Sequence, residues 1–537
     1  MHKTRPILAL FLTFAAVVFA AEDTPLPVGP IQTVAGPVIG EHKVFGPIPG
    51  TVIYFLGIPY AKPPVGELRW KAPEKPNAWT APRECRKYSL VCPQPTSPVY
   101  GDLGPSSEDC LYLNVFTGAK FTDDKKFAGE KRPVLFWIHG GGFSIGAASQ
   151  QVYYNGSLAA EGAVLVTFNY RLGPLGFLAH PALSAESPTH TSGNYALMDM
   201  LLALNWVKEN IANFGGDPNN VTLWGESAGG AAVDALMCCQ QAKGLFHRAI
   251  SMSSNTIVDQ RWLNRPDREL QSMDELGVEF QKRLGISDGP DVLKELRAKT
   301  PAELLKAARP GSAVPGVSTT DNLIIDGALI TEPIKRTFAA HRVINVPVLY
   351  GNVADEGSMF APRSKIDTVA KYKEFLDKRY GANAAQAFAI YPAADDAGVQ
   401  AALALLFSDI FFSTTRTHAR QMAAIQPNTF VYHFTRKSKP MIESKWDVYH
   451  GSELPFFFGT MDGASYTNEE RDLSRLIRTY IISFAQGGNP NAEHFPRAPE
   501  WPAYTVKEEQ QLVLDVPISV GARVHGGTLD ALEKLGK

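Results

Sequence analysis

The stretch TLWGESAGGAAV, residues 222 to 233, sets a serine between two glycines where an apolar run gives way to alanine-rich sequence. A serine hydroxyl is a weak nucleophile until a base takes its proton, and it must stand clear of the backbone to reach a carbonyl carbon. Gly225 and Gly229 permit that, because a strand can turn sharply into a helix with Ser227 at the apex and the positive end of the helix beneath it. The same pentapeptide also suits a small residue in a glycine-rich bend. Alone it arises by chance about 0.2 times in a chain of this length.

A second stretch raises the same chemistry. WIHGGGFSIG, residues 137 to 146, places three consecutive glycines directly after an apolar run. Backbone N–H groups with no side chains in the way are suited to holding the negative charge that develops on a carbonyl oxygen under attack. By itself this is equally a flexible glycine turn; beside a nucleophile turn it becomes an oxyanion loop.

The flanking elements must position these two loops. VLFWIH (134 to 139), AVLVTFN (163 to 169) and VTLWG (221 to 225) are rich in β-branched and aromatic residues and predict buried strands. ALMDMLLALNWVKENIANF, residues 196 to 214, has helical spacing and is ended by Gly215 and Gly216. Strand, helix, strand with continuously apolar strands predicts a largely parallel sheet covered on both faces, hence an α/β fold. HRAISM (247 to 252), VPVLYG (346 to 351) and TFVYHF (429 to 434) continue it, with helical stretches at 404 to 424 and 469 to 486. In such sheets chemistry collects at the carboxyl ends of the strands.

Composition narrows the partners. Lys and Arg number 52 against 54 Asp and Glu, so no net field draws nucleic acid or an anionic membrane surface. The first twenty residues, MHKTRPILALFLTFAAVVFA, combine a basic start, an apolar run and a small residue at Ala20, which predicts a secretory signal peptide over 1–20 and a secreted, extracellular or periplasmic, product. No later segment is expected to span a membrane. Residues 21–537 carry no linker, charge block or repeat at which to divide them, so one domain with insertions is expected. No cofactor, metal or obligate protein partner is implied. Five cysteines is an odd number, so in an oxidising compartment at least one stays outside any internal bridge.

Eight ordered segments now carry a resemblance: FLGIPYAKPPVGELRW (55 to 70), SEDCLYLN (107 to 114), HGGGF (139 to 143), NYRLGPLGF (169 to 177), GNYALMDM (193 to 200), FGGDPNNVTLWGESAGG (214 to 230), ADEGS (354 to 358) and YHGSELPFFFG (449 to 459). The chain resembles the type-B carboxylesterase and cholinesterase family of α/β-hydrolases. The resemblance implies an α/β-hydrolase fold and cleavage of small-molecule carboxylic esters by a Ser, Glu, His triad. It matches Ser227 to the nucleophile, Glu356 of ADEGS to the acid and His450 of YHGSE to the base, in the chain order expected of the fold. Composition alone does not choose between Glu356 and its neighbour Asp355. The oxyanion hole falls to the N–H groups of Gly141, Gly142 and Ala228, and Cys92 with Cys110 match the family's first disulfide loop, a closure worth roughly 3 kcal/mol. Cys85, Cys238 and Cys239 remain unassigned and are expected as buried thiols. Arg69 with Glu108 and Arg171 with Asp199 match structural ion pairs, and Glu226, beside the nucleophile, is expected as a buried carboxylate one layer out from the reacting groups, able to tune His450.

Departures bear on the substrate. Between Cys92 and Cys110 cholinesterases present a tryptophan that stacks on quaternary ammonium; this chain offers only Tyr100, so choline selectivity is not expected. TRKSKPMIESKW brings Arg436, Lys437, Lys439 and Lys445 just ahead of His450; such charges are ordinarily a solvated loop, and the sharper alternative is that they attract esters carrying carboxylates. Amides, carbamates and lactones share the first steps of the chemistry and stay open, as does a non-catalytic adhesion module on the same fold. With a histidine base, activity is expected to fall below roughly pH 6 to 7.

Overall fold

The computed structural model describes residues 27–535 apart from 45–50, 98–99, 122–126, 155, 257–259, 268–269, 309–321, 444–445, 462–464 and 492–497. The leader expected over 1–20 and Lys445 lie outside the described residues. The apolar runs form the strands they predict: Arg132–Ile138, Val164–Phe168, Gly216–Glu226, Arg248–Met252, Val348–Val353 and Thr429–Phe434. With Gln510–Leu514 they make one parallel ladder in the spatial order 164, 132, 216, 248, 348, 429, 510. The sheet holds 13 strands and is more mixed than expected. Pro27–Gln32, Pro37–Val44, Thr51–Pro59 and Tyr112–Thr117 extend one edge antiparallel, and Ser519–Ala522 caps the other.

Both faces of the ladder are covered, which is why its strands are predominantly apolar. In Arg132–Ile138 the side chains of Val134, Phe136 and Ile138 enter one core and those of Leu135 and Trp137 the other. On the second face Trp137, Trp224 and Phe458 meet at ring separations of 4.7 to 4.9 Å, a single aromatic block that fixes the distance between sheet and helices. The helix predicted from 196 is Tyr195–Asn210, continued by a 3-10 turn Ile211–Phe214 that Gly215 ends in the left-handed conformation.

Spatial order departs from chain order at Arg132–Ile138, whose neighbours run off in opposite directions along the sheet. At such a switch point the loops leaving the strands part and open a crevice. The register sets Trp137 opposite Trp224 and Ile138 opposite Gly225, so the glycine loop and the serine turn leave the sheet side by side.

Two expectations are corrected. Asp396–Ala423 is, by length and composition, capable of crossing a membrane, with a mean hydropathy of 1.4 over its most apolar window. Its apolar length faces protein, since 67% of that window is buried, and a core helix needs the same composition as a membrane span. The bridge expected between Cys92 and Cys110 is not formed, and all five cysteines are thiols. Cys92 and Cys110 are buried and share a side-chain hydrogen bond, and the Leu172 N–H donates to Cys92 Sγ at 3.2 Å. Backbone bonds close the loop instead, Val91 N–H to Pro105 O at 3.2 Å and Ser107 N–H to Val91 O at 2.9 Å.

The two structural ion pairs are present. Arg69 binds Glu108 through two nitrogens at 2.7 and 2.5 Å, and Arg171 binds Asp199 at 2.9 and 2.7 Å with both residues buried. Asp199 also accepts the Arg171 N–H at 3.0 Å, which ties the loop after Val164–Phe168 to the helix Tyr195–Asn210. Removing one partner of a buried pair leaves an uncompensated charge. Asp199→Ala is therefore expected to lower the free energy of urea unfolding by about 3–5 kcal/mol; a loss under about 1 kcal/mol would show the pair to be dispensable.

Candidate active site

Gly216–Glu226 runs directly into the helix Ala228–Cys238, and Ser227 between them sits at φ 59° and ψ −122°. This conformation costs a non-glycine residue on the order of 1–3 kcal/mol and persists only where its surroundings enforce it. They do: the Ser227 N–H donates to Met252 O at 2.9 Å, and a Cβ on Gly225 or Gly229 would fall 2.4 Å from Gly229 C or 2.0 Å from Ile138 O. Strand and helix thus touch through bare backbone. The Ser227 hydroxyl makes no hydrogen bond with any described residue and is partly exposed.

The glycine loop closes over this turn. A Cβ on Gly140 would lie 3.0 Å from Ser227 Cβ and 2.7 Å from Glu226 Oε2. Gly141 and Gly142 take φ of 107° and 60°, and among the described residues their N–H groups donate to nothing. Ala228 opens its helix, where N–H groups have no intrahelical acceptor. His139, next to the loop, is no base: burial lowers its pKa to about 4 and its ring stacks on Tyr170 at 4.3 Å.

Glu356 and His450 arrive on neighbouring loops. The Asp355 N–H donates to Val448 O at 3.0 Å, and Asp355 and Tyr449 form a parallel bridge that stitches the loops together. That choice of partners separates the two adjacent acids. Asp355 turns aside to accept the Ser358 N–H at 3.0 Å, whereas Glu356, fully buried, places Oε2 2.5 Å from His450 Nδ1. Its other oxygen, Oε1, accepts from the Ser253 hydroxyl at 2.6 Å, Asn352 Nδ2 at 2.9 Å and the Val353 N–H at 3.1 Å. Neither Ser253 nor Asn352 carries a motif in the sequence; only their places at the ends of two strands could have drawn attention to them. Phe360 and Phe411 hold the imidazole at ring separations of 5.1 and 4.9 Å.

Two further carboxylates surround the same ring. Glu226 is not one layer out but in contact with His450, Oε1 lying 3.2 Å from Nε2. Glu453, which sequence reasoning missed although it stands inside YHGSE, is fully buried and within hydrogen-bonding distance of Tyr432 at 3.3 Å. Burial, with Glu356 adding and His450 opposing, pushes Glu226 up to about 7; burial together with Glu226 and Glu356 pushes Glu453 well above the usual carboxylate range. Burial would lower His450, but Glu226, Glu356 and Glu453 outweigh it and raise the imidazole to about 9.

Above these groups opens a cavity of about 470 Å³ lined by Tyr100, Gln150, Met359, Tyr449 and Leu454, with Glu226 and His450 in its wall. Of the basic residues ahead of His450, the three described ones are not among the lining residues. Arg436 binds Glu470 at 2.9 Å, Lys437 binds Asp447 at 3.0 Å and Lys439 lies 3.7 Å from Glu443. Paired in this way with surface acids on the same and adjoining segments, they fit a solvated loop better than a device that attracts an acidic substrate.

A base must be neutral to accept a proton, so raising its pKa moves the rising limb of activity to higher pH. The limb is expected above the ordinary histidine value of 6.5, toward 9, rather than at 6 to 7. Glu226→Gln removes one of the stabilising charges and is expected to move the limb of kcat/KM to lower pH; superimposable profiles for the two proteins would show that Glu226 does not act on His450.

The carboxylesterase family model matches residues 28–526. The chain is 36% identical over 499 residues to a para-nitrobenzyl esterase of Bacillus subtilis (strain 168), covering 89% of this chain and 94% of that one. It is 35% identical to a fumonisin B1 esterase of Sphingopyxis macrogoltabida, over 91% and 88% of the two chains. A solved PNB esterase superposes with a TM-score of 0.77 at 32% identity, covering 94% of this chain and 99% of that one.

Proposed function

The chain belongs to the carboxylesterase family, has the α/β-hydrolase fold and is a carboxylic ester hydrolase; from that premise we propose that it cleaves esters through Ser227, His450 and Glu356 with an acyl-enzyme intermediate. His450 Nε2 takes the Ser227 proton as Oγ attacks the ester carbonyl carbon. Charge builds on the carbonyl oxygen, which the N–H groups of Gly141, Gly142 and Ala228 receive; one such donor is typically worth roughly 3 kcal/mol in the transition state. His450 then returns its proton to the departing alkoxide. A water activated by the same nitrogen attacks the acyl carbon, releasing the carboxylate and restoring Ser227. Glu356 fixes the Nδ1–H tautomer, so that Nε2 is the basic atom of the neutral ring.

The reading is carried chiefly by the 2.5 Å contact between the buried Glu356 and His450, reached beside a serine in a strained turn with unengaged N–H groups around it. A protein with no need to activate a hydroxyl has little reason to keep such a set of costly features together. Export is part of the same proposal, with residues 1–20 as a leader removed near Ala21.

A hydrolysis panel of neutral esters and matched amides, run with the wild type and Ser227→Ala, tests the mechanism. Ester turnover is expected, with kcat lower by about 10⁴-fold or more in the variant. Full activity in Ser227→Ala would refute the nucleophile, and turnover of amides at rates equal to esters would refute the ester preference. N-terminal sequencing of the exported protein is expected to begin near residue 21; a mature chain starting at Met1 would refute removal of the leader.

A further inference from the structure

Arg363 stands beside the cavity, outside its lining residues but next to several of them, and without an acid partner among the described residues. It lies on the short turn Ala361–Ser364, just past the cavity-lining Met359. Its guanidinium sits 5.9 Å from the centre of the Trp446 ring, and Trp446 in turn packs at 5.2 Å on Tyr449, another lining residue. Tyr100, on the facing loop, lies close enough for its hydroxyl to feel the Arg363 charge. Arg363 thus meets an aromatic ring on one side. Among the described residues no carboxylate forms an ion pair with it, and acids of the neighbouring segments are engaged elsewhere. Asp447 is held by Lys437 at 3.0 Å, Glu443 lies 3.7 Å from Lys439, Asp102 accepts the Gly104 N–H at 2.8 Å and Asp355 the Ser358 N–H at 3.0 Å.

A half-buried guanidinium with planar donors and no acceptor is costly in the empty protein and favourable once an anion arrives. Its fork matches a carboxylate with two parallel N–H···O bonds, and the ring beneath limits how it turns. Glu226, in the cavity wall, already has its Oε1 in contact with His450 Nε2 at 3.2 Å, while Glu356 is engaged with the other nitrogen of the same ring.

We propose that the cavity takes esters that carry a free carboxylate, and that Arg363 is the residue that grips this carboxylate at the rim while the ester lies over Ser227. The assignment rests on the reading of the cavity as an ester-hydrolysing site. It replaces the lysine-rich segment as the source of acid preference by a single residue on a different loop.

The test uses two matched pairs: phenyl acetate with 4-acetoxybenzoate, and the 4-nitrophenyl esters of hexanoic and adipic acids. The readout is the ratio of kcat/KM for the charged to the neutral member of each pair. In Arg363→Gln the ratio is expected to fall about tenfold or more in at least one pair, mainly through KM, with partial recovery in Arg363→Lys. Lys437→Gln, which removes a cation already paired on the same surface, is expected to leave the ratio where it was. A ratio unmoved by Arg363→Gln, or one lowered equally by Lys437→Gln, overturns the proposal while the ester-hydrolase reading stands. Absence of turnover of all four esters by the wild type would instead overturn the reading beneath it.

Discussion

Glu356 is a carboxylate buried to zero exposure, and the arrangement of the site follows from the need to satisfy it. Taking an ionised carboxyl out of water costs several kcal/mol unless its lone pairs all find donors. Here four donors meet it from three stretches: Ser253 just beyond Arg248–Met252, Asn352 and Val353 at the end of Val348–Val353, and His450 on a loop zipped to the acid's own. None of these groups would meet if neighbouring strands slipped by one residue, because the slip would turn each side chain to the opposite face. The register of Met252 with Gly351 is therefore as much a part of the site as the side chains are.

The serine turn places a second demand on the same sheet. Its backbone strain is sustained by contacts that leave no room for a methyl group, Gly225 against Gly229 and Gly229 against Ile138 O. Ile138 is the last residue of the strand that leads into the glycine loop, so close packing couples the serine turn and the glycine loop through one point. The aromatic block of Trp137, Trp224 and Phe458 lies directly beneath. Rigidity of this kind keeps backbone N–H groups aimed where charge will develop, with no reorganisation at the moment of reaction.

Much of this was legible before any coordinate. Apolar runs gave all six strands of the parallel ladder up to Thr429–Phe434, because strands buried on both faces have few polar positions to blur them. The antiparallel edge was not, since Pro27–Gln32 and Pro37–Val44 alternate in burial and include glycine and proline. Motifs and resemblance pointed to Ser227, Glu356 and His450. What stayed hidden were the residues that act by position alone: Ser253 and Asn352 have ordinary identities and matter only because a parallel register delivers them to Glu356. The state of Cys92 and Cys110 was likewise invisible, as spacing does not report whether two neighbouring sulfurs are joined.

Counting cations along TRKSKPMIESKW ignores the acids that meet them in space, and Glu470 and Asp447 take up Arg436 and Lys437 once the chain is folded. A paired surface cation projects little field beyond a Debye length of roughly 8–10 Å. A lone guanidinium against aromatic rings is different, because the low-polarity surface that makes it costly also preserves its attraction for an anion. The chemistry of the site below sharpens that contrast. Three carboxylates crowd one imidazole, and the protein relieves the crowding by shifting protons rather than by adding a second cation, with Glu226 and Glu453 raised and His450 raised with them. The interior is thereby near balance, and discrimination by charge is left to the rim.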